Sequence, residues 1–392
     1  MRVIITALFI LSSLGLFAQL SDPSQNTADR LLGGTNNLNI AGYADIDFNQ
    51  PLGGGQRNNG NLDIHRLVLL FGYKFDKRTS FVTEIEFEHV KELAVEQAFV
   101  NYRVNQYFNF RGGLLLIPMG IVNEYHEGPS RHGVERPNVD KYIVPTTWRE
   151  LGFGFTGRID ELAMKYQVYM VNGFNGFDGT GKFTGKNGLR SGRQKGAESF
   201  SSSPNLSTKL DFYGISGLKL GVAGYFGDSQ STLYDGVDKD DDASLARADS
   251  STIGVAMVGI DARYNIKGWE LRGQLNYTSL SNTMAYNAFT GNDVGSKMSG
   301  YYLEAAYNVF QKNQEIKSEL FPFFRYEQYN THQSVERTIE QNNAFKRTEL
   351  TAGLTWKINP GTALKLDYQW LKNDADDGFN NQLNIGLGVW FY

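Results

Sequence analysis

From Asn39 to the C-terminus, apolar and polar side chains alternate in segments of about ten to fourteen residues, the length and two-residue period of a tilted membrane-crossing strand. Residues 268–280 show the pattern: Trp269, Leu271, Gly273, Leu275 and Tyr277 share one face, and Glu270, Arg272, Gln274, Asn276 and Thr278 share the other. One face suits lipid, the other water. The same alternation predicts strands over 39–49, 62–75, 80–90, 93–104, 107–117, 148–158, 161–172, 205–213, 218–228, 251–265, 268–280, 299–310, 318–329, 346–358, 362–372 and 381–391. They number about sixteen, and bacterial outer-membrane barrels have even strand numbers.

The connections alternate in length. Short turns fall at Asp76-Lys77-Arg78, Asn105-Gln106, Asp160, Gly214-Ile215-Ser216-Gly217, Ile266-Lys267, Asn313-Gln314 and Asn359-Pro360-Gly361. Between them lie long segments at 50–61, 118–147, 173–204, 229–250, 281–298, 330–345 and 373–380, with 90–92 the single short member of that class. Outer-membrane barrels have short periplasmic turns and longer external loops, so the alternation orients the chain and puts both termini on the periplasmic side. A stack of soluble β-sandwiches is the competing reading, but it predicts neither this alternation nor strands so long. The expected fold is therefore all-β: a transmembrane antiparallel barrel of about sixteen strands, spanning 39–392.

Segment 118–147 stands apart. Loops of this length without structure of their own are uncommon and usually functional, and this one carries Glu124, His126, Glu127, Arg131, His132, Glu135, Arg136, Asp140 and Lys141. It is expected to fold into the lumen and narrow it as the third external loop.

Composition adds boundaries. Met1-Arg2, the apolar run Val3 to Phe17 and the small Ala18 read as a secretory signal cut near Ala18, followed by a polar, flexible periplasmic lead-in over 19–38. Losing Arg2 takes the net charge from −4 to −5, which argues against a nucleic-acid partner. The absence of cysteine excludes disulfides, thiolate metal sites, a Cys nucleophile and a lipidated N-terminal Cys. Beyond the signal no stretch approaches the ~20 apolar residues of a membrane helix, while aromatics reach 13%. The expected location is the outer membrane of a Gram-negative bacterium, with membrane lipids and the barrel-assembly machinery as partners. The last strand supports this: Leu383, Ile385, Leu387, Val389 and Phe391 form an outward face that ends in an aromatic pair.

The stretches VEQAFVNYRV (95–104), NFRGGLLLIPMGIVNE (109–124) and WRELGFGFTGRI (148–159), flanking the long loop, resemble the phosphate-selective porin O/P family in its Bacteroidetes form. The resemblance implies a sixteen-stranded barrel, usually a homotrimer, with its third external loop in the pore and small solutes or inorganic anions, phosphate among them, as cargo.

Candidate lumen chemistry follows from the inward faces. Basic candidates (Arg103, Arg111, Arg158, Lys165, Lys209, Lys219, Arg263, Arg272, Arg325, Arg347, Lys357 and Lys365) nearly balance acidic ones (Glu84, Glu86, Glu88, Glu150, Asp211, Asp261, Glu270, Glu304, Glu319, Glu327, Glu349 and Asp367). Selectivity comes from like charges at a constriction, so Arg111, Arg131, His132, Arg136, Lys141 and Arg158 are the candidate solute-binding residues. The competing reading is a solvated external loop neutralised by Glu124, Glu127 and Glu135. Lys182, Lys186, Arg190, Arg193 and Lys195 form either an anion funnel at the mouth or a mobile solvated loop. Glu84, Glu86 and Glu88 are expected to pair with inward cations. Asp235, Asp238, Asp240, Asp241 and Asp242 resemble loose calcium ligands but lack the Gly and Glu of an EF-hand. With five His and no catalytic constellation among them, no catalytic residue, metal or cofactor is expected. A passive diffusion channel is the leading reading; a non-conducting structural or adhesive barrel and an outer-membrane enzyme are the alternatives.

Overall fold

The computed structural model describes residues 26–34, 36–53, 57–313, 315–337 and 339–391. The signal segment, its cleavage point and Tyr392 lie outside the described residues. Sixteen antiparallel strands close into one barrel: β1 Leu38–Leu52, β2 Asn61–Lys74, β3 Thr79–Glu88, β4 Glu92–Arg103, β5 Asn109–Leu116, β6 Arg149–Ile159, β7 Met164–Val171, β8 Asn205–Ile215, β9 Leu218–Asp228, β10 Gly254–Ile266, β11 Trp269–Ser281, β12 Lys297–Tyr307, β13 Glu319–Ser334, β14 Lys346–Asn359, β15 Thr362–Asn373 and β16 Asn380–Phe391. Each pairs with its chain neighbours, and β1 pairs with β16 from Gly42↔Phe391 to Leu52↔Asn381, so no sheet edge remains.

The two-residue period separates the faces as the sequence pattern requires. On β15, Leu364 and Leu366 are exposed while Lys365 and Asp367 are buried, and on β16 Ile385 and Phe391 point out while Asn384 is fully buried. Exposed Tyr73, Tyr102, Trp269 and Trp356 sit toward the short-turn end, where aromatic girdles meet the membrane interface. Turn chemistry sets the hairpins: Asp76 Oδ1 accepts from the backbone N–H of Arg78 and Thr79, both at 2.7 Å, and closes the turn between β2 and β3.

Two expectations are corrected. The sequence predicts a flexible lead-in over 19–38, of which 19–25 and 35 lie outside the described residues; within the described part, Thr27–Gly33 forms helix α1, capped by the Asn26 side chain accepting from Asp29 N–H at 2.9 Å. Its apolar face buries Ala28 and Leu31, and Leu31 lies so close to the β2 backbone that only glycine fits at Gly72, where a Cβ would meet Leu31 at 2.9 Å. The second correction concerns the lumen. An aqueous channel calls for polar inward faces, yet toward the external ends of β9–β13 the inward side chains include Tyr225, Met257, Met298, Tyr302 and Tyr329, all buried. Their partners are not water but the loops that enter the barrel.

Candidate functional site

The loop between β5 and β6 leaves the wall after Leu116 and enters the lumen. Gly120, at φ 69, makes the turn that redirects it, in a backbone region that glycine adopts at no steric cost. Ile117, Met119, Ile121, Val139, Ile143, Val144 and Trp148 then join the inward wall aromatics in one buried apolar cluster. The segment 173–204 adds Phe174, Phe183 and Leu189, with Trp148 stacked on Phe174 at 4.7 Å. Each fully buried aliphatic or aromatic side chain contributes roughly 1.5–3 kcal/mol, so this seam holds the loop docked.

The wall charges explain the rest of the docking. Asp367 Oδ2 accepts from Val134 N–H at 2.7 Å and Glu327 Oε2 from Val139 N–H at 3.1 Å. Lys365 donates to Gly128 O (2.7 Å) and Gly133 O (3.1 Å), and Lys209 donates to Gly120 O (2.9 Å). Gln274 accepts from Ile121 N–H at 2.8 Å and donates to Asp140 at 2.8 Å. A buried loop backbone needs a partner for every donor and acceptor, and the balanced inward charges supply many of them. Gly128 is pressed so closely on β1 that a Cβ there would fall 1.7 Å from Asp45 Oδ1.

His126, midway along the loop, meets the wall at Glu84 (3.0 Å) and Glu96 (2.8 Å). Glu96 also meets Arg149 (3.3 Å) and Arg66 (3.7 Å), and Arg66 meets Glu86 (3.0 Å). All these side chains are buried. Burial opposes a charged imidazole, but the two carboxylates beside it prevail and hold His126 well above the usual histidine range. Burial, aided by the charge of Asp261, pushes Asp140, in helix α2 (Val139–Tyr142), up to about 7.

This layer stands between two cavities that share no lining residue. The periplasmic one, about 650 Å³, is lined by Asp29 of α1 with Lys74, Arg103, Arg111, Arg158 and Lys165. Asp29 bridges Arg111 (3.1 Å) and Lys165 (2.6 Å), and these cations hold it down at about 2 against its burial. The external cavity, about 450 Å³, is lined by six cations, Arg66, Arg136, Arg149, Arg190, Arg193 and Lys195, against Glu86, Glu88 and Glu92. Arg190 donates to Thr146 O at 2.5 Å, and Arg193 donates to Pro145 O (3.2 Å) and Thr147 O (2.9 Å). The 182–195 stretch is therefore folded against the lumen loop and is not a free solvated loop. Among the described residues, Arg136, Arg190, Arg193 and Lys195 form no carboxylate pair. Burial, then Arg190 and Arg136, push Arg193 well below the usual guanidinium range, and burial, Arg66 and Arg131 bring Arg136 to about 10.

The six residues expected at one constriction are thus dispersed. Arg136 alone reaches the external cavity. Arg131 is held by Asp45 (3.4 Å) and Val134 O (3.1 Å), and His132 by Glu270 (3.0 Å) with its ring near Phe321 and Phe323. Lys141 is exposed, 5.5 Å from the Tyr142 ring. Arg111 and Arg158 belong to the opposite cavity. Arg66 and Arg149 were not singled out in the sequence. Arg66 follows a bulge that breaks simple alternation, with Asp45↔Arg66 followed by Ile46↔Ile64. Of the Asp235–Asp242 group, Asp241 serves as N-cap of helix α3 (Asp242–Asp249), accepting from Ser244 N–H at 3.0 Å.

No family model matches the chain. Its fold is shared with outer-membrane channels: DcaP of Acinetobacter baumannii (TM-score 0.59, 12% identity, 90% of this chain and 97% of that one), the anion-selective porin of Comamonas acidovorans (0.58, 13%, 90% and 99%) and OmpF of Salmonella typhi (0.58, 13%, 90% and 97%). A protein of Aquifex aeolicus (strain VF5), described only as uncharacterized, is 31% identical over 373 residues, 91% of this chain and 80% of that protein. The chain belongs to the same family as that Aquifex aeolicus protein, built on the closed sixteen-stranded barrel of outer-membrane porins.

Proposed function

We propose that the protein is a passive outer-membrane diffusion channel for small hydrophilic solutes, with an external vestibule that favours inorganic anions, phosphate among them. The observation that carries this reading is the group of four cations, Arg136, Arg190, Arg193 and Lys195, that line a cavity at the loop's external side and, among the described residues, have no carboxylate partner. Charges in a cleft with low-dielectric walls focus their field on an entering ion, and salt screens them less there than on an open surface. Two oxygens of a phosphate match the guanidinium fork. The porin fold supports the outer-membrane location, and export by the N-terminal signal and assembly as a homotrimer complete the proposal. Single-channel recording of the purified protein in planar bilayers tests it: ohmic conductance with chloride or phosphate preferred over potassium is expected, and no conductance in repeated reconstitutions would contradict it.

A second reading has one observation in its favour. The Glu84, Glu96 and His126 layer lies between cavities that share no lining residue, as a non-conducting barrel would require. The same recording separates the two, because a barrel closed by its loop conducts only after the loop is removed.

A further inference from the structure

We propose that Asp63, His65 and His89 form a site for a divalent transition ion of the zinc type at the external rim of the lumen. The three ligand atoms lie within 4.8 Å of one another. Nδ1 of His65 stands 3.8 Å from Oδ2 of Asp63, and Nδ1 of His89 makes a short contact to that same oxygen. Two imidazole nitrogens and one carboxylate oxygen converging on one point match three-ligand zinc sites that leave a fourth position for an exchangeable ligand. This donor set suits zinc, nickel and copper and is poorly matched to calcium or magnesium, which take oxygen ligands. Zinc bonds of about 2.0–2.2 Å place tetrahedral ligands roughly 3.3–3.5 Å apart, so the side chains need shifts of only about an ångström to close around an ion.

The backbone arranges this convergence. His65 is the extra residue of the bulge in β2, where Ile46↔Ile64 gives way to Asp45↔Arg66, and bulges re-aim side chains. His89 N–H donates to His65 O at 3.4 Å, so the histidines face each other across adjacent strands, with ring centroids 5.5 Å apart. His89 and Val90 take up the tight turn between β3 and β4 with φ of 54 and 66. Such turns favour Asn-Gly, and a β-branched residue at positive φ is strained. The turn accommodates histidine at position 89 and sets its ring beside His65 and Asp63. The site is accessible, with the His89 side chain 40% exposed.

The other convergent group, Glu84, Glu96 and His126, lacks this character. Arg66 and Arg149 already pair with Glu96, and Arg66 with Glu86, so the buried charges balance without an ion.

Zinc titration of the purified full-length protein in detergent, followed by calorimetry in a non-coordinating buffer, tests the site. One zinc per chain is expected. His65→Ala, His89→Ala and Asp63→Asn should each weaken binding at least about tenfold, since even outer-shell changes cost 10–100-fold, and His332→Gln should leave it unchanged. The variants' unfolding on heating in gels should match the parent's, which shows that the barrel is intact. Absence of saturable binding, binding by His65→Ala and His89→Ala as tight as the parent's, or loss on His126→Gln with retention in the rim variants would each overturn the assignment.

Discussion

The core of the lumen loop and the external vestibule touch, with Arg190 and Arg193 donating to the carbonyls of Thr146 and Pro145, yet they are opposite in character. Along the loop core, charges are paired: His126 with Glu84 and Glu96, Glu124 with Lys209 at 2.6 Å, Arg131 with Asp45, and His132 with Glu270. In the vestibule, Arg136, Arg190, Arg193 and Lys195 line a cavity and, among the described residues, pair with no carboxylate. A paired buried charge spends its field on its partner and serves architecture. An unpaired charge at a cavity is available to a solute. On the proposed function, the difference separates residues that hold the barrel's loop in place from those that would act on an entering solute.

Removing the loop breaks the comparison most severely. Deleting residues 121–146 strips the apolar seam and the cross-layer, and a sixteen-stranded barrel without a plug has a wide aqueous lumen. Single-channel conductance should rise several-fold and selectivity should flatten; unchanged conductance would show that the path bypasses the loop. Next in size is His126→Ala, which leaves Glu84 and Glu96 buried without their shared cation. Breaking a buried pair costs about 3–5 kcal/mol, to be read as a lowered midpoint of denaturant unfolding in detergent and noisier, larger conductance.

pH sharpens the comparison more gently. Asp140, with a folded value of about 7 against an ordinary 3.8, holds a proton when docked that it would lose if released, so the docked loop is increasingly disfavoured as pH rises from 3.8 to about 7. His126 works in the same direction: its folded value is raised, so its contribution is complete below the ordinary histidine range and is lost as pH climbs through the higher folded one. Conductance should therefore increase as pH rises from 3.8 through about 7 and beyond, and a decrease would contradict the assigned loop electrostatics. The smallest effect belongs to Arg158→Ala. Its contact with Asp160, at 3.6 Å and with Asp160 80% exposed, is worth about 0–1 kcal/mol, and reversal potential should hardly move.

The barrel was legible in the sequence because a strand period of two and alternating connection lengths are local signals. All sixteen strands fall within a few residues of their expected bounds, and the 118–147 loop enters the lumen as expected. The site was less legible, because pairing is a property of three dimensions. Nothing local to Arg131 announces Asp45 as its partner, some 86 residues away in sequence, and nothing local to Arg190 announces the carbonyl of Thr146. The balanced lists of inward Lys, Arg, Asp and Glu were correct as orientations for residues such as Lys365, Asp367 and Arg325, all buried. Their role was misplaced, since they grip the loop backbone where an ion path was expected. Helix α1 escaped notice because its seven residues lie in a polar, Gly- and Asn-rich stretch, and only the Asn26 cap and the Ala28 and Leu31 face betray it. The rim group escaped because Asp63 and His65 meet His89 only through a bulge and a strained turn.

The central claim, that unpaired vestibule cations set selectivity while paired loop charges do not, is tested most directly by reversal potential in a salt gradient. A unit charge ~7 Å from an ion contributes about 2 kcal/mol at an effective dielectric near 20. Arg136→Glu with Arg193→Glu should therefore move the reversal potential from the anion side strongly toward cations, whereas Arg131→Gln should leave its sign unchanged. Equal shifts from both, or no shift from the Arg136 and Arg193 pair, would contradict the account.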